Sequence, residues 1–383
     1  MIGIKRLSVS IFSLWCALSL ACSATIPVIH VRGELAGQRI DTTVDSKLAK
    51  YYVEQYLPGN RIKPEFDQTL NTIHERQGDM FPSRKFLRCL SNRGAVDFAV
   101  LYLANQILKD DSNEQFQSLF QKELSKIKSP EGIERLALDP ARASYVMLFV
   151  PGWFYKSDPW TGADLARQRN VASRLGLANL LIDTEENGTI EENADIIAEE
   201  IVRVTELNKR IVLVSVSKAG PEVAQALGEV MDHQETRNVK AWINIGGLLQ
   251  GSLIADSALR WPKRWLAKLY FTYKGWDFDS VASMGTERSR TRLKRLSIPQ
   301  RILIINYIAV PLSGDVSALA RDRYVDLRNE GPNDGLTLIT DAIAPNSITV
   351  AQLGVDHFFL DPDIDAKAAA LIRTVINELE SRR

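Results

Sequence analysis

The sequence predicts an α/β fold in which a mostly parallel β-sheet is covered by helices on both faces. Two observations lead to this prediction. From residue 145 onward, short apolar segments rich in β-branched residues alternate with longer amphipathic segments, which is typical of β-α-β units. In addition, the apolar segment Arg210–Val216 ends at Ser217, directly before a predicted helix. Because crossovers between parallel strands are right-handed, we expect the carboxyl ends of the strands, and a ligand site, at one edge of the sheet.

Hydrophobic periodicity predicts the individual elements of this region. Apolar runs predict six strands, at Tyr145–Val150, Ala178–Asp183, Arg210–Val216, Lys240–Gly246, Arg301–Ile308 and Ile348–Leu353. Amphipathic spacing predicts the main helices, at Thr161–Leu175, Glu191–Leu207 and Asp365–Glu380. An insertion at about residues 252–299 separates the fourth and fifth strands and is predicted to form a cap within the domain at residues 144–383.

The first 24 residues have the order of a secretory signal peptide. Two basic residues precede an apolar run at residues 11–20, and small residues follow it. The run is shorter than a membrane span requires, so we expect export, with a membrane anchor as the alternative. Cleavage near residue 24 would release a soluble protein. Residues 18–22 also resemble a bacterial lipoprotein box with Cys22 as the lipidated residue, so the expected locations are the periplasm, a lipid anchor on the membrane, or the medium.

Residues 25–143 are predicted to form a helical extension that packs on, or shields, the domain that follows. Apolar residues at helical spacing are clearest at Lys47–Leu57, Val96–Leu108 and Asn113–Ile127. Cys89 is expected to be a buried residue of a helix in this extension. With Cys16 removed in the signal peptide, no intramolecular disulfide is available unless Cys22 remains.

The composition limits the classes of partner. Hydrophobic residues make up 45% of the 383 residues, which suffices for one large core or two modest ones. Lys and Arg together number 47, as do Asp and Glu, so the overall charge favours neither nucleic acid nor an acidic partner. The cap differs, since residues 260–295 contain ten basic and three acidic residues among many aromatic ones. Such a segment either settles on a lipid–water interface or packs its aromatic side chains on the rest of the protein.

Ser217 is the candidate nucleophile. A strand that turns sharply into a helix exposes the side chain at the turn, and the turn leaves no room for large side chains two positions before and after it. Those positions hold the small residues Ser215 and Ala219. Ser215 itself is a poorer candidate, because Leu213 would occupy the position two residues before it.

A serine nucleophile needs a base, and the base needs a carboxylate to orient it. His357 follows the last predicted strand and precedes the final helix, so its loop can reach the strand end that carries Ser217. Asp334, in an Asn-Asp-Gly turn before His357, is the first choice for the carboxylate, and Asp315 is the alternative. For the oxyanion, the Pro-Gly turn after the first strand suggests the backbone N–H of Trp153, together with that of Lys218.

These motifs resemble those of the α/β-hydrolase superfamily, and of its bacterial lipases and esterases in particular. The matching segments are the oxyanion loop Val150–Trp153, where proline replaces the usual histidine, the turn Ser215–Ala219, the glycine-rich stretch Ile245–Ser252, the acid loop Asn333–Leu336 and the histidine loop Asp356–His357. The resemblance implies an α/β-hydrolase fold and a Ser217–His357–Asp334 triad that acts on an ester. We expect no metal and no cofactor.

The expected function is therefore an exported serine hydrolase that cleaves a carboxylic ester of a lipid or another hydrophobic acyl substrate. The expected partners are such an ester and a membrane surface, and no nucleic acid. Two alternatives use the same fold. One is a binding lipoprotein that has lost the chemistry, and the other is an acyltransferase that uses the same triad and excludes water.

Overall fold

The computed structural model describes residues 28–78, 80–127, 132–138 and 144–382. The predicted signal peptide and Cys22 lie outside these residues. Within the described ranges, no helix is both long enough and apolar enough to cross a membrane.

Six parallel strands form the central sheet, in the order β4-β3-β5-β6-β7-β8. Their bounds are Tyr145–Val150 (β3), Ala178–Leu181 (β4), Arg210–Val216 (β5), Val239–Ile245 (β6), Leu303–Val310 (β7) and Ile348–Leu353 (β8). The predicted parallel sheet is confirmed, although β7 begins and ends two residues later than its apolar run suggested. Alternate residues of β3 point to opposite faces, so that Phe149 and Leu148 belong to different hydrophobic clusters.

Helices cover both faces of the sheet. The N-terminal extension contributes α1 (Lys47–Tyr51), α2 (Pro64–Gln77), α3 (Arg84–Gly94), α4 (Val96–Leu108) and α5 (Asp111–Ser125). The domain that follows contributes α6 (Ala166–Arg174), α7 (Ile190–Thr205), α8 (Ala219–Gln225), the cap helices α9 (Leu253–Leu259), α10 (Lys263–Lys274), α11 (Asp279–Ser283) and α12 (Thr286–Arg295), and then α13 (Arg321–Leu327) and α14 (Ile364–Ser381). Helices α5, α6 and α14 pack on one face of the sheet, and α7 and α8 pack on the other.

The N-terminal extension is not purely helical, which corrects the prediction. It begins with an antiparallel hairpin of β1 (Ile29–Leu35) and β2 (Gln38–Val44). The buried residues of these strands alternate with exposed ones, and the two turn residues, Ala36 and Gly37, both have positive φ, as a tight hairpin requires. Cys89 lies on a helix as expected, but it is exposed rather than buried.

The extension also supplies hydrogen-bond partners to β8, the strand at one edge of the central sheet. Alternate backbone N–H groups of β8 donate to side-chain oxygens of the extension. The Leu353 N–H donates to Gln38 at 3.1 Å, the Thr349 N–H to Asn113 at 2.7 Å, and the Ala351 N–H to Gln117 at 3.1 Å. Gln38 also donates from Nε2 to the carbonyl of Ala351, at 2.8 Å. Side-chain amides thus take the place of a seventh strand, and they protect an edge that would otherwise pair with another chain.

We expect Gln38→Leu to lower the free energy of unfolding by about 2–4 kcal/mol, because a buried N–H and a buried carbonyl of β8 each lose a partner. Urea denaturation measures this loss. The matched control is Gln115→Leu, since Gln115 is an exposed glutamine on α5, and it should change stability by less than about 0.5 kcal/mol. Equal effects of the two variants would contradict a role of Gln38 at the sheet edge.

The cap lies between β6 and β7 in the sequence, and hydrogen bonds connect it to the loop that follows α13. Ser252 Oγ donates to the carbonyl of Leu336 at 2.7 Å, and Thr337 Oγ1 donates to the carbonyl of Gly251 at 3.0 Å. Its aromatic residues divide into two sets. Phe271, with Trp276 and Phe278, packs inward, whereas Trp261, Trp265 and Tyr273 are exposed.

Candidate active site

Ser217 lies at the turn between β5 and α8, in a conformation that few residues adopt. Its φ is 55°, in the left-handed region that side chains other than glycine seldom occupy. Backbone hydrogen bonds hold the turn. The Ser217 N–H donates to the carbonyl of Ile245 at 2.9 Å, and its carbonyl accepts from the N–H of Gly220 at 3.0 Å. The turn therefore presents the side chain of Ser217 beyond the carboxyl end of the sheet.

The neighbours of Ser217 are small for steric reasons that extend further than the sequence suggested. Ser215 and Ala219 are fully buried, and the hydroxyl of Ser215 accepts a hydrogen bond from Trp242 Nε1 at 2.8 Å. Gly220 was not singled out from the sequence. A Cβ at this position would lie 2.7 Å from Asn244 Oδ1 and 2.7 Å from the Cα of Gly247. A side chain is thus excluded three residues after Ser217 as well.

The structure brings Ser217, His357 and Asp334 together. His357 Nε2 lies 2.9 Å from Ser217 Oγ, and His357 Nδ1 lies 2.7 Å from Asp334 Oδ2. The other carboxylate oxygen of Asp334 accepts from the N–H groups of Leu336 and Thr337, at 2.9 and 2.8 Å. With both oxygens occupied, the carboxylate has one orientation, and His357 Nδ1 is assigned the proton.

Asp315, the alternative carboxylate, lies elsewhere. Its Oδ2 accepts from the backbone N–H of Leu312 at 3.1 Å, and the preceding Gly314 N–H donates to the carbonyl of Thr43 in the N-terminal hairpin. Asp315 therefore stabilises the loop after β7, and Gly314 connects this loop to the extension. The sequence left this choice open because both aspartates follow β7 and precede His357, and only the path of the loop separates them.

The environment of His357 raises its pKa above the ordinary value of 6.5. Burial by itself would lower the pKa, but the charge of Asp334 and the hydrogen bond to it outweigh burial, and the charge of Asp356 adds to their effect. Asp356 was not proposed from the sequence. Its carboxylate accepts from the N–H of Ser317 at 2.7 Å and from that of Phe358 at 3.0 Å, and these bonds hold the histidine loop.

We expect kcat/KM for ester hydrolysis to increase with pH through a pKa above 6.5, because a general base must be unprotonated and the His357 pKa is raised. Asp356→Asn removes one of the charges that raise this pKa, so its pH–rate profile should move to lower pH. The control Asp363→Asn changes an exposed carboxylate near the start of α14, and its profile should match that of the wild type. A profile of Asp356→Asn that does not move would contradict the contribution of Asp356.

Two backbone N–H groups near Ser217 are candidate donors to an oxyanion. Gly152 brings the loop after β3 close to β5, since a Cβ there would lie 3.3 Å from the carbonyl oxygen of Val216. The Gly152 N–H donates to Ala163, whereas the next N–H, that of Trp153, has no acceptor within the described part of the chain. The N–H of Lys218, directly after the nucleophile, likewise has no acceptor among the described residues. Both groups are therefore available to a ligand.

The side chain of Lys218 forms a buried ion pair that the sequence did not reveal. Its Nζ contacts Glu222 Oε1 one helical turn later, and both side chains are almost completely buried. Asn193 Nδ2 donates to the same carboxylate at 2.8 Å. Burial raises the pKa of Glu222, and the charge of Lys218 opposes this effect. The pair lies under the first turn of α8 and joins it to α7.

A cavity of about 510 Å³ adjoins Ser217 and His357. Most of its wall is apolar and comes from the cap, from the loops after β3, β6 and β8, and from the start of α14. The apolar side chains include Phe154, Leu248, Ala255, Phe271, Val281 and Met284. Among the described residues, no group of three or more His, Cys, Asp or Glu side chains could hold a metal ion. The cavity thus suits an apolar chain whose polar end lies at Ser217.

Comparisons with known proteins support the fold. The crystal structure of a metagenomic carboxyl esterase is similar to this chain over 63% of this chain and 77% of the esterase, with a TM-score of 0.51 and 21% sequence identity. A lipase from Bacillus licheniformis in its mature form matches 63% of this chain and 93% of its own, with a TM-score of 0.49 and 22% identity. A phospholipase from Legionella pneumophila matches 52% of this chain and 44% of its own, with a TM-score of 0.38 and 14% identity. No family model and no curated protein sequence matches the chain. The chain has the α/β-hydrolase fold.

Proposed function

We propose that this protein is an exported serine hydrolase that cleaves a carboxylic ester with a hydrophobic acyl group. The observation that carries this proposal is the continuous hydrogen-bonded series from Ser217 Oγ through His357 to Asp334, at the opening of an apolar cavity. The similarity to an esterase structure agrees with this chemistry. Export, to the periplasm, to a lipid anchor at Cys22 or to the medium, rests on the first 24 residues.

The mechanism follows from the positions of the atoms. Ser217 Oγ attacks the ester carbonyl carbon while His357 Nε2 takes the hydroxyl proton. The carbonyl oxygen becomes an oxyanion and accepts hydrogen bonds from the Trp153 and Lys218 N–H groups. His357, whose charge Asp334 stabilises, gives its proton to the departing alkoxide as the carbon–oxygen bond breaks. Water then attacks the acyl-enzyme with the same proton transfers, and this releases the acid and restores Ser217.

The shape of the site supports a hydrophobic substrate rather than a peptide. Phe271 and Met284 of the cap, and Leu248 after β6, form an apolar wall beside Ser217. An acyl chain buried on this wall would contribute binding energy roughly in proportion to its apolar area. An ester of a lipid, presented at a membrane surface, has this chemistry.

Labelling with a fluorophosphonate tests the proposal. The folded wild-type protein should be labelled, and Ser217→Ala should abolish labelling and lower kcat for a soluble aryl ester by at least about 10⁴-fold. Ser215→Ala is the matched control, since it removes a hydroxyl two residues away, and it should label like the wild type. Absence of labelling in the folded wild type would overturn the assignment of a catalytic serine.

A further inference from the structure

The outer face of α10 is apolar, the reverse of an ordinary surface helix. At about 100° per residue, Trp265, Leu269, Tyr273 and Leu266 lie within an arc of about 100°. All four are exposed, with 64% of Trp265 and 83% of Tyr273 accessible. Phe271, on the opposite side of the helix, is buried and lines the cavity beside Ser217. Packing among the described residues therefore does not account for the outer face.

Basic residues border this apolar arc on both sides. At the same helical spacing, Lys263 and Lys274 lie along one border, and Arg264 and Lys268 lie along the other. Trp261, which is 87% exposed, precedes the helix and extends the aromatic surface. From residue 260 to residue 274 the sequence has five basic residues and no acidic one. In the described part of the chain, none of the five forms an ion pair with a carboxylate, so their charge is available to a partner.

We propose that this face, formed by Trp261 and α10, docks in the plane of an anionic lipid bilayer. Trp and Tyr side chains are favoured at the boundary between headgroups and acyl chains, and basic residues around them attract anionic headgroups. A second copy of this chain would bring two faces of equal positive charge together, and the charges would repel. This inference rests on the proposed function, because docking would bring the cavity behind Phe271 to the bilayer that contains the ester.

The test is co-sedimentation of the full chain with vesicles. Every protein carries Cys22→Ser, so that no acyl group at residue 22 contributes to binding. The protein with an unchanged α10 should bind vesicles of phosphatidylcholine mixed with phosphatidylglycerol at least about tenfold more tightly than vesicles of phosphatidylcholine alone. Binding should be lost near 1 M salt, where the Debye length is about 3 Å.

Two double variants separate the contributions of charge and apolar surface. Lys263→Glu with Lys268→Glu, and Trp265→Ser with Leu269→Ser, should each weaken binding to the mixed vesicles by more than about tenfold. The control pair, Lys85→Glu with Leu207→Ser, changes one exposed basic and one exposed apolar residue outside the cap, and it should bind like the wild type.

Catalysis and docking are measured separately. Ser217→Ala should retain vesicle binding, and both α10 variants should retain wild-type kcat on a soluble aryl ester. Binding that is equal in the wild type and the α10 variants, or equal for neutral and mixed vesicles, would overturn the proposal. A concentration-dependent dimer that only the α10 variants lose, seen by sedimentation velocity, would overturn it in favour of a second copy. Absence of esterase activity with intact, α10-dependent vesicle binding would overturn the proposed function and leave the docking surface supported.

Discussion

We expect Asp334→Asn to lower kcat for ester hydrolysis by about 10⁴-fold, because an amide cannot stabilise the imidazolium or hold the correct tautomer of His357. The carboxylate contacts His357 Nδ1 at 2.7 Å through Oδ2, while its Oδ1 is held by the N–H groups of Leu336 and Thr337. The substitution keeps the shape of the side chain, so the fold should survive. The measurement is steady-state hydrolysis of a soluble ester, corrected for the fraction of folded protein.

The matched control for this prediction is Asp315→Asn. Asp315 lies on a loop of the same segment but contacts the backbone of Leu312 rather than His357, so its kcat should stay within about twofold of the wild type, whatever the change in stability. A loss of activity in Asp315→Asn but not in Asp334→Asn would transfer the role of the carboxylate to Asp315. Equal losses in the two variants would indicate a structural effect on the loop instead of an effect on the imidazole.

We expect Glu222→Leu to lower the free energy of unfolding by about 3–5 kcal/mol, since it leaves the ammonium group of Lys218 buried without a counter-charge. The side chains of both residues are almost completely inaccessible to water. The effect should be measured by urea denaturation at neutral pH. As a control, Arg382→Met breaks an exposed pair with Glu378 one helical turn away, and it should cost less than about 1 kcal/mol.

The double variant Lys218→Met with Glu222→Leu gives the sharper result. Replacing a buried ion pair by apolar side chains of similar volume is often neutral or stabilising, because neither charge then needs to leave water. We expect the double variant to regain most of the stability that Glu222→Leu loses. A double variant as unstable as Glu222→Leu would show that the lysine stem or the Asn193 contact, rather than the unpaired charge, accounts for the loss.

The strands and the turn at Ser217 could be predicted because they depend on local chemistry. Apolar, β-branched runs favour buried parallel strands, and the small residues at positions 215 and 219 reflect the space that a strand-to-helix turn allows. The hairpin of β1 and β2 was missed because both strands are mixed in polarity, and their period of two is hard to see without the partner strand. The apolar neighbours of Cys89 predict a buried position, but Cys89 lies on the exposed side of α3.

By itself, the sequence determined the parallel sheet, the exposed serine after β5 and the candidate histidine before the last helix, because each follows from residue types at fixed spacing along one strand or turn. Only the tertiary structure decided between Asp334 and Asp315, buried the Lys218–Glu222 pair, and placed Trp265 and Tyr273 of α10 on its outer face. These outcomes depend on how segments far apart in the chain pack against each other, as in the 2.7 Å contact between Asp334 and His357. Such distances are set by loop paths and packing, which residue spacing does not encode.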